Sequence, residues 1–225
     1  MTVQITSAIA HLHCAHSVAH RDIKPHNILC RCVRGCAIPT LVLLSPRDRG
    51  MAHSRNAFAA ASNGAQPMLH RCDDPTLIGA LKLADFGLCK RFTTASACEF
   101  DAVCGTVDYF APELARNFAA HLASQPAERY SAAVDCWALG CLVYELFYGQ
   151  PPFAAGSDEE VLALISPAKG QADLEHIRAV HMSEEGKDFL ARLLTIDANE
   201  RNGMEVSGGC VKLDCCVLPA CHRCL

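Results

Sequence analysis

The sequence predicts a mainly α-helical fold with one short β hairpin. Near the start, the apolar residues Ile5, Ile9 and Leu12 recur with the i, i+4, i+7 spacing of an amphipathic helix. Residues 131–148 are apolar on nearly every side, which is typical of a helix buried in the middle of a domain. Helices therefore account for most of the predicted core.

The ends of the central helix can be located from its flanking residues. Ser131 is of a type that caps a helix N-terminus, and the helix is expected to end near Tyr148 because Gly149, Pro151 and Pro152 follow. The residues predicted to fill the core from this helix are Val134, Trp137, Ala138, Leu139, Cys141, Leu142, Val143, Leu146 and Phe147.

Two shorter helices are predicted further along the chain. Ser157 followed by Glu160 forms a capping-box pattern before an apolar run that begins at Val161. Ser183 can cap a second helix, whose apolar residues are Phe189, Leu190, Leu193 and Leu194.

One polar segment, HRDIKPHN at residues 20–27, has the residue types that phosphoryl transfer requires. That reaction needs a carboxylate to orient the attacking hydroxyl, and Asp22 fits this task. It also needs oxygen ligands that hold magnesium against the phosphates, and Asn27 and the later Asp85 are suitable. Lys24 supplies a compact positive charge for the transferred phosphate.

Three further segments follow in order: DFG at 85–87, GTVDYFAPE at 105–113 and DCWALG at 135–140. Together with HRDIKPHN, they resemble the large lobe of a eukaryotic protein kinase, over residues 3–30 and 80–201. Lys24 and Thr106 resemble the serine/threonine type, and DFGLCK and CGTVDYFAPE are similar to the AGC group. The resemblance implies ATP and Mg²⁺ as cofactors and a protein substrate with a serine or threonine acceptor.

The resemblance also implies residue roles. Asp22 would act as the base, Lys24 would contact phosphate, and Thr106 would bond to both. Asn27 and Asp85 would hold magnesium and, with Lys24, the nucleotide. The supporting residues that the resemblance implies are His20, Arg21, Phe86, Gly87, Glu113, Asp135 and Arg201.

Three of these supporting residues, Asp135, Glu113 and Arg201, are expected to form specific buried contacts. Asp135 would accept hydrogen bonds from the backbone near His20 and Arg21, because an unpaired buried carboxylate is costly. Glu113 would form a buried ion pair with Arg201. The alternatives are a solvated acid at a helix N-terminus for Asp135 and a pair of solvated surface residues for Glu113 and Arg201.

The resemblance implies that Arg21 pairs with a phosphate on the loop between Asp85 and Glu113. The position where AGC-like kinases carry that phosphate is Ala102, which cannot be phosphorylated. Three hydroxyl residues, Thr93, Thr94 and Ser96, lie nearby but out of register. Phosphorylation at the usual site is therefore not expected.

The sequence divides into a partial kinase domain at 1–204 and a cysteine-rich tail at 205–225. Strands are expected at 28–29 and 81–83, separated by an insert at about 30–76, for which disorder or a misassigned coding segment is favoured over a functional lid. The 225 residues contain no GxGxxG loop and no VAIK-type lysine. The small β-rich N-terminal lobe is thus expected to be absent, and the chain to begin inside a domain.

The tail holds five of the 15 cysteines within its last 16 residues. A zinc site is conceivable there, with the candidate ligands Cys210, Cys215, Cys216, Cys221, Cys224 and His222, but the irregular spacing favours a disordered end. A metal site among the histidines at 11, 13, 16 and 20 is not expected, because no cysteine or acid completes a standard spacing.

The composition excludes several functional classes. A net charge of −4 and 51% hydrophobic residues predict a soluble chain that does not bind nucleic acid. No membrane span or secretory signal is recognised, and the scattered cysteines favour a reduced intracellular compartment, cytoplasmic or nuclear. The oligomeric state cannot be inferred. A non-catalytic kinase remnant that acts as a scaffold is the alternative to an active kinase.

Overall fold

The computed structural model describes residues 2–32, 37–38, 78–94, 98–165, 183–201, 206–207 and 210–211. This part of the chain is helical with few strands, in agreement with the predicted class. Its helices are α1 (Thr2–His16), α2 (Pro112–Leu122), α3 (Ala133–Tyr148), α4 (Asp158–Ile165) and α5 (Glu184–Leu193). Its strands are β1 (Val18–Ala19), β2 (Ile28–Cys32), β3 (Ala37–Ile38), β4 (Ile78–Leu83), β5 (Lys90–Arg91), β6 (Val206–Ser207) and β7 (Cys210–Val211).

Helix α3 is the centre of the core, as predicted. Every residue from Val134 to Tyr144 is buried, and Trp137 stacks on Phe153 with ring centroids 5.7 Å apart. Helix α5 approaches α3 closely at Gly140, where an added Cβ would lie 2.8 Å from the Leu194 side chain. The absence of a side chain at this position therefore sets the distance between the two helices.

Two details of α3 differ from the prediction. The helix begins at Ala133 after Ala132, and the Ser131 hydroxyl accepts only a long 3.3 Å bond from the Ala133 amide. Phe147 is 47% exposed because the last turn of the helix extends beyond the core. The helix ends where expected, since Gly149 adopts a left-handed φ of 79° and donates to the Glu145 carbonyl.

Helix α1 packs its apolar side onto the core with a small shift from the predicted face. Ile5 and Ile9 are buried, but the third position of the stripe is taken by the buried His13, while Leu12 is only half-buried. His13 and Leu12 are adjacent on the helix surface, and the periodicity of three apolar residues does not distinguish between them.

The caps of the two later helices use the predicted serines. Ser157 accepts a 3.3 Å bond from the Glu160 amide, and the Glu160 carboxylate reaches back to the Gly156 amide rather than to Ser157 itself. Ser183 accepts a 3.2 Å bond from the Gly186 amide.

The predicted hairpin is present, and its strands are longer than expected. Ile28 pairs with Leu83 in an antiparallel ladder of β2 and β4 that continues to Cys32 and Ile78. The short strand β3 pairs with the other edge of β2. Strands thus occupy the first residues assigned to the insert, and the remainder of that stretch, 33–36 and 39–77, lies outside the described residues.

The tail contains a feature that the sequence did not predict, a pairing of the two-residue strands β6 and β7. Most of the zinc-ligand candidates, Cys215, Cys216, Cys221, His222 and Cys224, lie outside the described residues. None of the helices in the described ranges combines the length and the hydrophobicity that a transmembrane span requires.

Candidate active site

The segment between β1 and β2, residues 20–27, which we call the catalytic loop, holds Asp22 in a closed hydrogen-bond network. Lys24 Nζ lies 2.9 Å from Asp22 Oδ2 and donates to Thr106 Oγ1 at 2.8 Å. The Thr106 hydroxyl in turn donates to Asp22 Oδ1 at 2.8 Å. Thr106, which lies 84 residues from Asp22 in the sequence, therefore meets the Asp22 carboxylate together with the neighbouring Lys24.

Asn27 contacts the same carboxylate through its amide nitrogen. Nδ2 donates to the Asp22 backbone carbonyl at 2.7 Å and to Asp22 Oδ2 at 3.0 Å. Because both bonds use the nitrogen, the amide orientation is fixed and Asn27 Oδ1 remains an acceptor. Asp22 Oδ2 thus receives two donors and Oδ1 receives one, which leaves acceptor capacity on Oδ1.

The protonation state of Asp22 follows from this network. Burial by itself raises the pKa of a carboxyl, but the hydrogen bonds from Lys24, Thr106 and Asn27 and the charge of Lys24 outweigh burial and hold the pKa of Asp22 below its usual range. The side chain is therefore an ionised hydrogen-bond acceptor at neutral pH.

Asp85 lies beside this network and is connected to it through the backbone. The Ala84 amide donates to the Asn27 carbonyl at 2.8 Å, and the His20 ring contacts the Ala84 carbonyl at 3.0 Å. Asp85 is exposed, has a left-handed φ of 61° and accepts a 3.2 Å bond from the Gly87 amide. Phe86 is 52% exposed and its ring lies edge-on to His20 at 5.4 Å.

Asn27 and Asp85 fit the expected cation in their chemistry. Mg²⁺ prefers hard oxygen ligands and is commonly bound by one or two protein oxygens together with substrate phosphates and water. The Asn27 amide oxygen and the exposed Asp85 carboxylate are such ligands. In the described part of the chain, no group of three or more His, Cys, Asp or Glu residues could hold a metal by itself.

The first turn of α3 fixes the backbone of the catalytic loop through Asp135. Its carboxylate accepts hydrogen bonds from the amides of His20 (2.7 Å) and Arg21 (2.8 Å), which are the contacts predicted for it. Burial opposes ionisation, but a 2.7 Å contact with His13 Nε2, the charge of His13 and the two amides hold the pKa of Asp135 below its usual range.

His13 is a site residue that the sequence reasoning missed. Its Nε2 atom contacts the carboxylate of Asp135, which lies 122 residues away in the sequence. Its position four residues after Ile9 on the buried face of α1 was the available signal. The other two histidines of this helix, His11 and His16, contact each other at 3.1 Å.

Arg21 has a left-handed φ of 67°, and its side chain is bound by groups other than a phosphate. Nε donates to the Leu88 carbonyl at 2.7 Å, Nη1 donates to the Tyr130 hydroxyl at 3.2 Å, and the guanidinium lies 5.3 Å from the centre of the Phe100 ring. The Tyr130 hydroxyl donates to the Ala102 carbonyl at 2.7 Å. Tyr130 was not recognised from the sequence.

The predicted ion pair between Glu113 and Arg201 is present and buried. Arg201 Nη1 and Nη2 donate to the two carboxylate oxygens at 2.7 and 3.0 Å. The same guanidinium donates to three backbone carbonyls and lies 5.1 Å from the centre of the Trp137 ring. This pair joins α2 to the segment that follows α5.

Tyr109 and Glu145 form a second contact that the sequence reasoning missed. The Tyr109 hydroxyl donates to Glu145 Oε2 at 2.5 Å, which joins the 3-10 turn Val107–Tyr109 to α3. Burial raises the pKa of both Tyr109 and Glu145. The loop that carries Thr106 is therefore attached to α3 directly after Thr106.

Comparison with known proteins gives the class to which this fold and site belong. The family model described as "Protein kinase domain" matches residues 68–207. Serine/threonine-protein kinase srk1 of Schizosaccharomyces pombe is 30% identical over 200 residues, and protein kinase C-like 1B of Caenorhabditis elegans is 33% identical over 175 residues. These matches cover 88% and 72% of this chain, respectively.

The chain therefore belongs to the eukaryotic protein kinase family. Serine/threonine-protein kinase RAD53 of Saccharomyces cerevisiae is also similar, at 29% identity over 202 residues. The chain spans 30% of srk1, 22% of protein kinase C-like 1B and 19% of RAD53, so it corresponds to only part of each relative. Assignment to the AGC group stays a prediction.

Proposed function

We propose that this chain carries the large-lobe half of a serine/threonine protein kinase site, which transfers the γ-phosphoryl group of ATP to a serine or threonine of a protein substrate. The observation that carries the proposal is the Asp22 carboxylate, held by Lys24, Thr106 and Asn27 with acceptor capacity left on Oδ1. Relatives named as serine/threonine-protein kinases support the acceptor class.

Each residue of the network has a task in this proposal. Asp22 accepts a hydrogen bond from the substrate hydroxyl, orients its oxygen towards the phosphorus and receives its proton as the new bond forms. Lys24 keeps a positive charge beside Asp22 and the transferred phosphoryl group. Thr106 links both residues to the loop on which the substrate would lie.

The proposed cofactors follow from the ligand chemistry of Asn27 and Asp85. A magnesium ion held by these two oxygen ligands would neutralise charge on the phosphate oxygens of ATP. Asn27 serves both sides of the site, because its nitrogen orients Asp22 while its oxygen remains for the cation.

The 225 residues contain no glycine-rich loop and no VAIK-type lysine to cover the phosphates of ATP. Positioning and electrostatic stabilisation supply most of the rate of phosphoryl transfer, so we expect the 225-residue chain by itself to show no turnover above background. The competing hypothesis is a non-catalytic scaffold that retains the docking surface of a kinase.

Transcript sequencing and a kinase assay separate the two hypotheses. If the transcript encodes a glycine-rich loop and a lysine upstream of Met1, that longer product is assayed with Mg-ATP and a general protein substrate. We expect turnover that falls to background in Asp22→Asn and Asp85→Asn, whereas Asp101→Asn, a matched change in an exposed acid, retains it. A transcript that starts at Met1 would favour the scaffold, and turnover retained in Asp22→Asn would overturn the site assignment.

A further inference from the structure

The side chain of Arg21 already has partners from its own chain at a position where the family resemblance implies a phosphate. Its Nε donates to the Leu88 carbonyl, its Nη1 donates to the Tyr130 hydroxyl, and its face covers the ring of Phe100. These partners come from three segments of the chain. The guanidinium therefore connects the catalytic loop with the loop at residues 85–113, which we call the activation loop.

Tyr130 is the residue that completes this connection. Its side chain is buried, and its hydroxyl accepts from Arg21 while it donates to the Ala102 carbonyl at 2.7 Å. Its backbone pairs with Phe100 in both directions, at 3.0 and 2.8 Å. Burial raises the pKa of the Tyr130 hydroxyl, so the phenol keeps the proton that the bond to Ala102 requires.

The hydrogen-bond bridge from Arg21 through Tyr130 to the Ala102 carbonyl is coupled to Asp22 through the residues that follow Ala102. Gly105 has a φ of 112°, and an added Cβ there would lie 2.7 Å from the Arg21 carbonyl, so the activation loop passes directly over the Arg21 backbone. The next residue, Thr106, donates to Asp22. The stretch from Ala102 to Thr106 is thus held at one end by the Tyr130 hydroxyl and at the other by Asp22.

We propose that Tyr130 is a positioning residue: its neutral hydroxyl, bridging Arg21 and the Ala102 carbonyl, holds the activation loop in place without phosphorylation. The effect of these hydrogen bonds on catalysis rests on the proposed function, whereas their effect on the activation loop does not.

Asp101 is the alternative anchor, because an acid beside position 102 could replace a phosphate. Its carboxylate lies 3.9 Å from Lys90 Nζ, and both side chains are about half exposed or more, at 65% and 47%. Such an exposed ion pair contributes little to stability in water. The hydrogen-bond geometry therefore favours Tyr130 over Asp101.

The test is hydrogen–deuterium exchange of the purified 225-residue chain, with intact-mass measurement to establish that it carries no phosphate. In Tyr130→Phe, which retains the ring and the backbone pairing, exchange of the amides of Phe100, Tyr109 and Phe110 is expected to rise about 5- to 30-fold, as for the loss of one or two hydrogen bonds. Exchange in α3 should stay unchanged. Asp101→Asn is the control and should match the wild type.

A rescue variant distinguishes a bridge from a general loss of packing. Adding Ala102→Glu to Tyr130→Phe places a carboxylate within reach of Arg21, and protection should return in a form that 0.5 M salt weakens, whereas native protection is insensitive to salt. The proposal would be overturned if Tyr130→Phe exchanged at the wild-type rate or if Asp101→Asn lost protection. It would also be overturned if protection were found only in phosphorylated molecules. None of these results bears on the catalytic role of Asp22, because the assay requires no turnover.

Discussion

Arg201→Ala is expected to be strongly destabilising because it leaves a buried carboxylate without a cation. Glu113 is 8% exposed, and both of its oxygens are bound by Arg201. Removal of one partner from such a pair typically costs about 3–5 kcal/mol. The carbonyls of Ala133, Thr195 and Ile196 also lose a charged donor, so we expect about 4 kcal/mol or more.

Trp137 makes this loss measurable. It is the only tryptophan of the chain and lies beneath the Arg201 guanidinium, so its fluorescence reports urea and thermal unfolding at the site itself. A loss of about 4 kcal/mol corresponds to a fall in Tm of roughly 8–16 °C for a chain of this length. Arg192→Ala is the matched control, because Arg192 forms an exposed i,i+4 pair with Asp188 and should cost about 0.3–0.5 kcal/mol.

Glu113→Gln provides a milder version of the same experiment if Arg201→Ala does not fold. The amide retains the shape of the side chain and Arg201 keeps its three carbonyl acceptors, so a loss of about 2–3 kcal/mol is expected. If Arg201→Ala lowered the free energy of unfolding no more than Arg192→Ala, the Glu113–Arg201 pair would behave as a solvated surface contact and would not anchor α2.

Two further predictions concern the catalytic loop. Gly105→Ala should lower the free energy of unfolding in urea by about 1–3 kcal/mol, because φ is 112° and the new Cβ would lie 2.7 Å from the Arg21 carbonyl oxygen. Gly156→Ala, in an exposed turn, is the control and should cost far less. Equal losses in the two variants would exclude backbone strain at Gly105 as the cause. Asp135→Asn should cost about 3–5 kcal/mol at pH 7. Because the pKa of Asp135 is lowered in the fold, the contribution of its ionised carboxylate to stability is complete above the unfolded pKa of about 4 and is lost as the pH falls from there through the folded pKa. The difference in unfolding free energy between Asp135→Asn and wild type should therefore narrow at pH 3.5, and a constant difference would contradict the lowered pKa of Asp135.

The sequence predicted the part of the candidate site whose residues lie close together in the chain. Asp22, Lys24 and Asn27 lie within six residues, so a single motif fixes their relation, and the structure places them around one carboxylate. The continuous apolar run of α3 predicted a buried helix correctly, because such a run has no solvated face.

The contacts that escaped prediction join side chains that are distant in sequence. His13 meets Asp135 across 122 residues, and Tyr130 meets Arg21 across 109. The spacing from Ile9 places His13 on the apolar face of α1, but its contact depends on a carboxylate that another helix supplies, and that partner cannot be read from the local sequence. In the same way, the extension of β2 to Cys32 depends on pairing with β4, which the composition of residues 30–32 does not reveal.

The left-handed conformations of Arg21 and Asp85 have a consequence for the preorganisation of the proposed site. Each conformation costs roughly 1–2 kcal/mol of conformational free energy for a residue with a side chain. Each is stabilised by the protein itself, because the Arg21 amide donates a hydrogen bond to the Asp135 carboxylate and the Asp85 carboxylate accepts one from the Gly87 amide. The free energy of this preorganisation is therefore supplied by folding. Under the proposed function, a nucleotide would meet the backbone of Arg21 and Asp85 already in its final conformation, and none of its binding energy would be spent on forming that conformation.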